Sequence, residues 1–538
     1  MASDADAVVV GAGPNGLVAA NLLADRGWDV VVYEAAPDPG GAVRSAELME
    51  RGFVNDLFSA FYPLAAASPV VRGLRLEEHG LTWKYAPIVL AHPAADGTCP
   101  VLTTELDHTA ASLDAFCGGD GDAWRELHRR WERLRPGLIE GLFAPMPPVK
   151  ASVQLALAAR RDALRLARFA LLPVRQMTHE YFGSDPAQRL VAGCALHADL
   201  APGQVLSGFF GWFLCMLGQD YGWPVPEGGA AALTRALVAR LEARGGRLVC
   251  NAPVERVVVR DGRAVGVAID GQQVLARRAV LADVDAPNLF TKLVGLEHLP
   301  SQFADDLRRF VWDQSVFKVD WNLDSAIPWS APEARRAGTL HIVDSIDELT
   351  RSRAQIEQRL VPDEPFLIVG QQSVADPTRT PPGRETAWAY SHLPREIKGD
   401  AADTLPPLSD PKWREAFADR MQHRIERLAP GFTSLVRGRH ILAPNDLQDR
   451  DSNLVGGGIN GGTAQLFQQF VFRPTPGFGR PETPIRRLFL ASASAHPGGG
   501  VHGACGSNAA RAAIAHDRLD FARRSRSSPT GAGRRERQ

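Results

Sequence analysis

The hydrophobic pattern changes period several times along the chain. Residues 7–10, Ala-Val-Val-Val, form a β-branched run without polar alternation, which predicts a strand buried in a parallel sheet. Residues 17–26 recur at helical spacing, and Gly27 stands where a left-handed C-cap belongs. Residues 29–33 return to the strand pattern and end at Glu34. From about 90 to 225 the pattern is mostly helical. Pro226 to Gly229 then opens a further helix over 230–243, ended by Gly245-Gly246. Strands follow at 247–250, 254–259, 264–269 and 279–282, with Asp261-Gly262 and Asp270-Gly271 as hairpin turns. Residues 291–470 mix strands (316–323, 366–371, 387–391) with helices such as 413–428. A strand at 487–491 and a helix from 504 to 514 complete the ordered part. The Arg/Ser-rich tail after Asp520 is expected to be disordered. No internal repeat is evident.

The first unit carries the clearest chemistry. Its strand runs straight into Gly11-Ala12-Gly13-Pro14-Asn15-Gly16, then the helix, a second strand and the acid Glu34. Gly11 permits the tight turn, Gly13 lets the backbone approach a pyrophosphate, and Gly16 lets the helix pack on the strand. The helix N-terminus offers N–H groups and a positive dipole end to phosphate. Glu34 can accept from both ribose hydroxyls and would repel a 2′-phosphate. The pattern serves NAD and FAD alike. The next residues favour FAD: a plain dehydrogenase would continue into a crossover helix, but here Pro39-Gly40-Gly41-Ala42-Val43-Arg44 brings a second glycine turn and an Arg back toward the cofactor.

A third glycine segment lies near the far end. His496-Pro497-Gly498-Gly499-Gly500-Val501-His502-Gly503 follows the strand ending at Ala491 and feeds the last helix. Three segments far apart in sequence are thus suited to close backbone approach to one ligand. Gly456 to Gly462 is a fourth glycine run, but no convincing strand precedes it. It reads as a loop near the flavin rather than a second nucleotide site.

Charge and cysteine content narrow the field. With 60 Lys+Arg against 61 Asp+Glu, no basic field exists to hold nucleic acid. The six Cys include no Cys-x-x-Cys pair, which excludes a dithiol redox motif or zinc knuckle. The acidic start, Met-Ala-Ser-Asp-Ala-Asp, resembles neither a signal nor a transit peptide. No apolar run approaches the ~20 residues of a membrane span. The expectation is a cytoplasmic protein. The segment 151–174 and its flank carry Arg160, Arg161, Arg165, Arg168 and Arg175 among Leu and Ala, so a peripheral contact of a basic amphipathic helix with an anionic membrane stays open beside a solvated face.

Together these pieces resemble the flavin-containing carotenoid and retinoid oxidoreductases, which include phytoene desaturases, carotenoid isomerases and retinol saturases on the fold shared with amine oxidases. The match rests on residues 8–44, 226–282 and 488–514. Gly461-Gly462-Thr463, Phe472-Arg473-Pro474, Thr483-Pro484 and the 496–503 loop are most similar to the branch of pyridine nucleotide-disulfide oxidoreductase domain-containing proteins. That branch's name promises a disulfide pair, which this sequence lacks. Ala491-Ser492-Ala493-Ser494 departs from the family's Gly-Ala-Gly-Thr. The resemblance implies an α/β fold: a Rossmann-like FAD-binding domain (1–90, 226–290, 471–520) interleaved with an α+β substrate domain (91–225, 291–470), then a basic tail (521–538). One FAD would bind extended between them. The candidate contacts are Gly11, Ala12, Gly13, Pro14, Asn15, Gly16, Glu34, Ala35, Gly40, Gly41, Arg44, Val254, Ala491, Gly499, Gly500 and Val501.

The chemistry expected is hydride transfer from an apolar, polyene or lipid-like substrate to flavin N5. The last helix would turn its N–H groups near Val501 to Ala504 toward the flavin N1 and O2. No acid–base pair stands out. His496 and His502 are open as proton shuttles beside a plain hydrogen-bonding role, and Cys505 is open as a reactive thiol beside simple packing. Residues 208–217 are strongly apolar and suit either a substrate tunnel or a core helix. An amine or amino-acid oxidase and a flavin-stabilised interaction protein are the alternatives. With no second dinucleotide unit, the expected electron acceptor is oxygen or a quinone.

Overall fold

The computed structural model describes residues 4–527. Two seven-stranded sheets organise it. The first is parallel at its centre, in the order Leu488–Leu490, Gln272–Ala282, Ala5–Val10, Val30–Tyr33, Arg247–Val249. Ala5–Val10 is the middle strand, with Val8 and Val9 fully buried, as its unbroken apolar run requires. Gln272–Ala282 serves two layers. Its first half pairs antiparallel with Arg263–Ile269, and its second half pairs parallel with the central strand and with Leu488–Leu490. The turns Asp261-Gly262 and Asp270-Gly271 take positive φ at both residues, the backbone of a two-residue hairpin turn.

Three helices pack together on one face of this sheet, against Val9, Val30, Val32 and Leu281: Pro14–Ala24, Ala231–Ala243 and Ala504–Ser527. Pro14 opens its helix, where a missing N–H costs nothing. The helix Ala504–Ser527 runs past the expected start of the tail at 521. Residues 528–538 lie outside the described residues, and with them the rest of that expectation.

The second sheet is ordered Val436–Leu442, Ser315–Leu323, Glu385–Leu393, Leu367–Gly370, Ala337–Ile342, Ile88–Ala91, Val101–Leu102. It is antiparallel except where Ala337–Ile342 meets Ile88–Ala91. One face, with Phe317, Val319, Trp321, Ala387 and Ala389, packs under helix Lys412–Leu428 through Phe417, Met421 and Ile425. The other face looks into a helical layer built from Asp120–Phe143, Asp185–Ala195 and Ser207–Tyr221. Trp124, Trp131 and Trp212 are fully buried there, and burial of this kind is worth roughly 1.5–3 kcal/mol per large side chain. The apolar 208–217 segment is a helix, with Trp212, Cys215, Met216 and Leu217 in this core and Phe209, Phe213 and Leu214 partly buried at its edge.

Residues 151–174 depart from expectation. They form no single helix: Val149–Ala159 stops at a tight turn where Arg160 takes φ +43, and Ala163–Leu171 starts afresh. Positive φ at a non-glycine residue cannot continue a right-handed helix.

Candidate functional site

The glycine segments converge. Gly11 takes φ +92, and a Cβ there would lie 2.9 Å from the Asp283 carbonyl oxygen. A Cβ on Gly13 would lie 2.5 Å from Asp283 Oδ2, and one on Gly16 2.2 Å from the Gly11 carbonyl oxygen. Gly41 brings the second turn to within 3.2 Å of the Gly13 Cα by the same measure. At the other end, a Cβ on Gly506 would lie 1.9 Å from the Asn15 carbonyl oxygen. Helices Pro14–Ala24 and Ala504–Ser527 therefore touch, backbone against backbone, near their N-termini.

Glu34 staples the turn to the second strand. Its Oε2 accepts from the Ala12 N–H (2.7 Å) and its Oε1 from the Ala36 N–H (2.8 Å). Ala35 lies exposed beside it. The segment leading to Val254 runs alongside, since the Ala252 N–H donates to the Glu34 carbonyl. The Gly40 N–H donates to the Ala12 carbonyl, which docks the second turn on the first. Arg44 is positioned by carbonyls: Nε donates to Gly41 (2.9 Å), Nη2 to Arg450 (2.5 Å), and the guanidinium covers the Phe58 ring. Ala491 extends the strand Leu488–Leu490 by donating to the Ala282 carbonyl.

Asp283 was missed by sequence reasoning and is central. It follows the strand Gln272–Ala282, and its Oδ2 accepts from the Gly16 N–H (2.8 Å) at the helix N-terminus. Burial raises its carboxyl to about 7, with Asp451 and Glu34 adding like charge. The only sequence signal was an acid at the end of a parallel strand, the place where such sheets bind ligands. Arg473 and Asp313 were also missed as scaffolding. Arg473, fully buried, donates to the carbonyls of Asn460, Thr463 and Ala493. Asp313 accepts from the N–H groups of Ile459, Asn460 and Gly462. Between them they hold the 456–462 loop against the 491–503 segment, where a Cβ on Gly499 would meet the Asn460 Cα at 2.7 Å. That run feeds no helix, in line with a loop beside the site.

The two loop histidines are buried. His502 Nδ1 accepts from the Ala504 N–H (3.0 Å), and the ring bonds the Gly498 carbonyl through Nε2 (3.2 Å). Burial lowers both His502 and His496 to about 4, so their rings are neutral near pH 7. The Ala504 N–H, expected to face a ligand, is thus spent on the His502 ring, because a helix N-terminus leaves donors that a nearby acceptor captures. Cys505 is buried, its Sγ donates to the carbonyls of Ala495 (3.6 Å) and Gly498 (3.7 Å), and burial pushes its thiol up to about 12, so it is held as the neutral thiol. Gly500 packs closely on Leu64, which a Cβ at that position would meet, and Val501 follows it.

Leu64 belongs to the apolar cluster on the inner face of the second sheet. Strand alternation puts Thr386, Trp388, Tyr390 and His392 on that face. Phe61 lies 6.2 Å from Trp388, which stacks on Tyr390 at 5.9 Å. His197 and His341 approach at 2.8 Å between their Nε2 atoms. Burial holds His197 at about 4 and His392 at about 3. The indole N–H groups of Trp223 and Trp388 are buried without a partner. Lys318, on the same face, is committed to Asp320 (2.5 Å) and to the Asp56 carbonyl (2.9 Å).

Comparison with known proteins interprets this geometry. The family model described as flavin containing amine oxidoreductase matches residues 15–514. The chain belongs to that family. It is 28% identical to the rat pyridine nucleotide-disulfide oxidoreductase domain-containing protein 2, over 94% of this chain and 92% of that protein. It is 23% identical to the neurosporene-forming phytoene desaturase of Cereibacter sphaeroides, over 96% of each. An oxidoreductase from Methanosarcina mazei shares the fold, with a TM-score of 0.61 at 15% identity over 95% of this chain and 99% of that one. The protein is an FAD-dependent oxidoreductase. Its residues fit the cofactor: Asn15 Oδ1, Ser507 Oγ and both amide atoms of Asn508 are buried without partners beside the two touching helix ends. A glycine cradle bounded by Glu34 suits the adenosine diphosphate half, and the 491–503 segment the flavin half.

Proposed function

We propose that this enzyme dehydrogenates an apolar substrate held between the inner face of the second sheet and the helical layer. When bound, the flavin supplies hydride acceptance at N5. The protein's work is to exclude water and hold a C–H bond in place. The observation that carries the reading is the make-up of that face: Leu64, Phe61, Trp388 and Tyr390 form one aromatic and aliphatic cluster with the helical layer, and burial keeps His197 and His392 neutral. An amine substrate is less well served there, because Asp320, the carboxylate on that face, is already paired with Lys318 and burial raises it to about 6. Anaerobic titration of the holoenzyme tests this. Bleaching of the flavin absorbance by a polyene or terpenoid panel, but not by primary amines or amino acids, is expected. The reverse pattern would overturn the reading.

Oxygen or a quinone as acceptor belongs to the same proposal. One glycine crossover unit is committed to the adenine half of FAD, and the 456–462 run is occupied by Asp313 and Arg473. NADPH mixed with oxidised enzyme in a stopped-flow cell should bleach the flavin slowly or not at all. Bleaching within milliseconds would mean a dedicated nicotinamide site.

A further inference from the structure

A cleft far from the flavin segments carries chemistry that the reaction does not use. It lies between helix Asp120–Phe143 and the turn at 160–166, has a volume of about 350 Å³, and is lined by Arg129, Arg130, Arg133, Arg165, Glu126 and Asp162. Four guanidinium groups face two carboxylates. Asp162 is shared by Arg133 (3.7 Å) and Arg165 (3.4 Å), and Glu126 takes Arg130 (3.3 Å). Arg129 has no ion-pair partner among the described residues. The Arg130 guanidinium lies 4.4 Å over the Phe169 ring, which fixes its direction. Such a cleft has a positive surplus and several planar forks, the donor set that phosphate oxygens match.

The surface beside it is apolar. Helix Val149–Ala159 packs inward through Ala151, under Gly141, and Leu155, under Gly137. This contact runs it antiparallel to Asp120–Phe143 and brings its end to Arg133. Its outer face then presents Val149, Val153 and Leu157 at four-residue spacing, 66%, 54% and 67% exposed. Leu164, next to Arg165 across the turn, is 87% exposed, and Leu171 is 52% exposed. An exposed apolar stripe beside a basic cleft is the arrangement of an interfacial element, with side chains among acyl chains and cations at headgroup level. Free phosphate would explain the arginines but not the leucines.

We infer that this face docks on an anionic lipid bilayer, with a headgroup phosphate in the Arg129–Arg133–Arg165 cleft and Val153, Leu157 and Leu164 in the acyl boundary. The inference does not depend on which substrate is oxidised. Flotation of the FAD-loaded full chain tests it, using vesicles of phosphatidylglycerol with phosphatidylcholine and vesicles of phosphatidylcholine alone. Recovery with anionic vesicles at low salt is expected, falling at high salt as screening grows. R129E/R133E and L157S/L164S, each checked for unchanged flavin content and circular dichroism, should each lower apparent affinity by about tenfold or more. Equal recovery in both vesicle types, no recovery in either, or wild-type flotation by both variants would overturn the docking. If inorganic phosphate raises the melting temperature of the wild type but not of R129E/R133E, while anionic vesicles recover nothing, the cleft takes a soluble anion and the bilayer assignment fails.

Discussion

The nucleotide end of the first sheet and the inner face of the second sheet are built on opposite plans. The first is backbone against backbone. Gly13 abuts Asp283, Gly16 abuts the Gly11 carbonyl, and Gly506 abuts Asn15, so the ligand would meet N–H groups and helix ends. The second is made of large side chains from separate strands and loops, such as Phe61, Trp388, Tyr390 and His341. A cradle of main chain recognises what stays constant, a nucleotide. A lining of side chains can be changed residue by residue without disturbing the strands that carry it, which suits a family whose substrates differ.

The largest expected effect is at the first plan's tightest point. Gly13→Val should abolish FAD retention, because even the first added carbon would stand 2.5 Å from Asp283 Oδ2. The flavin-to-protein absorbance ratio after gel filtration reports this, and a wild-type ratio would break the contrast. Next comes acid stability, which tests the second plan. His197 and His392 have folded values of about 4 and about 3 against an ordinary 6.5. The unfolded chain therefore takes up protons first. The contribution of these two rings should be full above pH 6.5 and should decline as pH falls toward 4, against an opposite contribution from Asp283 and Asp320, whose carboxyls burial raises to about 7 and about 6. The difference in melting temperature between wild type and His392→Gln, at fixed ionic strength between pH 7.5 and 4.5, isolates the ring; a difference that does not change with pH would mean that His392 is open to water.

Glu34→Ala should weaken FAD binding by about 1–3 kcal/mol, the scale of lost charged hydrogen bonds. Calorimetric titration reads this directly; unchanged affinity would leave Glu34 with only its stapling role. The smallest effect is expected for Asp283→Asn. In the wild type, FAD affinity should fall modestly as pH rises through about 7, where Asp283 ionises beside the helix end that a diphosphate would use. The amide variant should lose that slope, and a slope that persists would assign it to another group.

The first plan was legible in sequence because its signals are local. A strand, glycine turn, helix and acid lie within about thirty residues, and each glycine has one steric reason to be there. Element types were also readable wherever the period was long, as in Lys412–Leu428. What stayed hidden depends on contacts between distant segments. Ala337–Ile342 and Val436–Leu442 are strands that short mixed patterns did not announce. Asp283 and Arg473 gain their roles only when strands and loops remote in sequence are brought together. The break at Arg160, where φ is +43, has no glycine or proline beside it in sequence to announce it.

The slot for Leu488–Leu490 beside Val280, Leu281 and Ala282 has a consequence for biosynthesis. On the ribosome, the partner strand emerges before the whole second sheet has been made. During that interval the nascent chain carries an open parallel edge, whose unpaired N–H and C=O groups invite pairing with a stranger. The 491–503 loop and helix Ala504–Ser527 follow the missing strand, so a nascent chain can cradle a nucleotide before it can enclose a flavin ring. Supply of FAD during translation would then act as a folding aid as well as a cofactor load, and starvation for riboflavin should appear first as aggregated protein rather than as soluble apoenzyme.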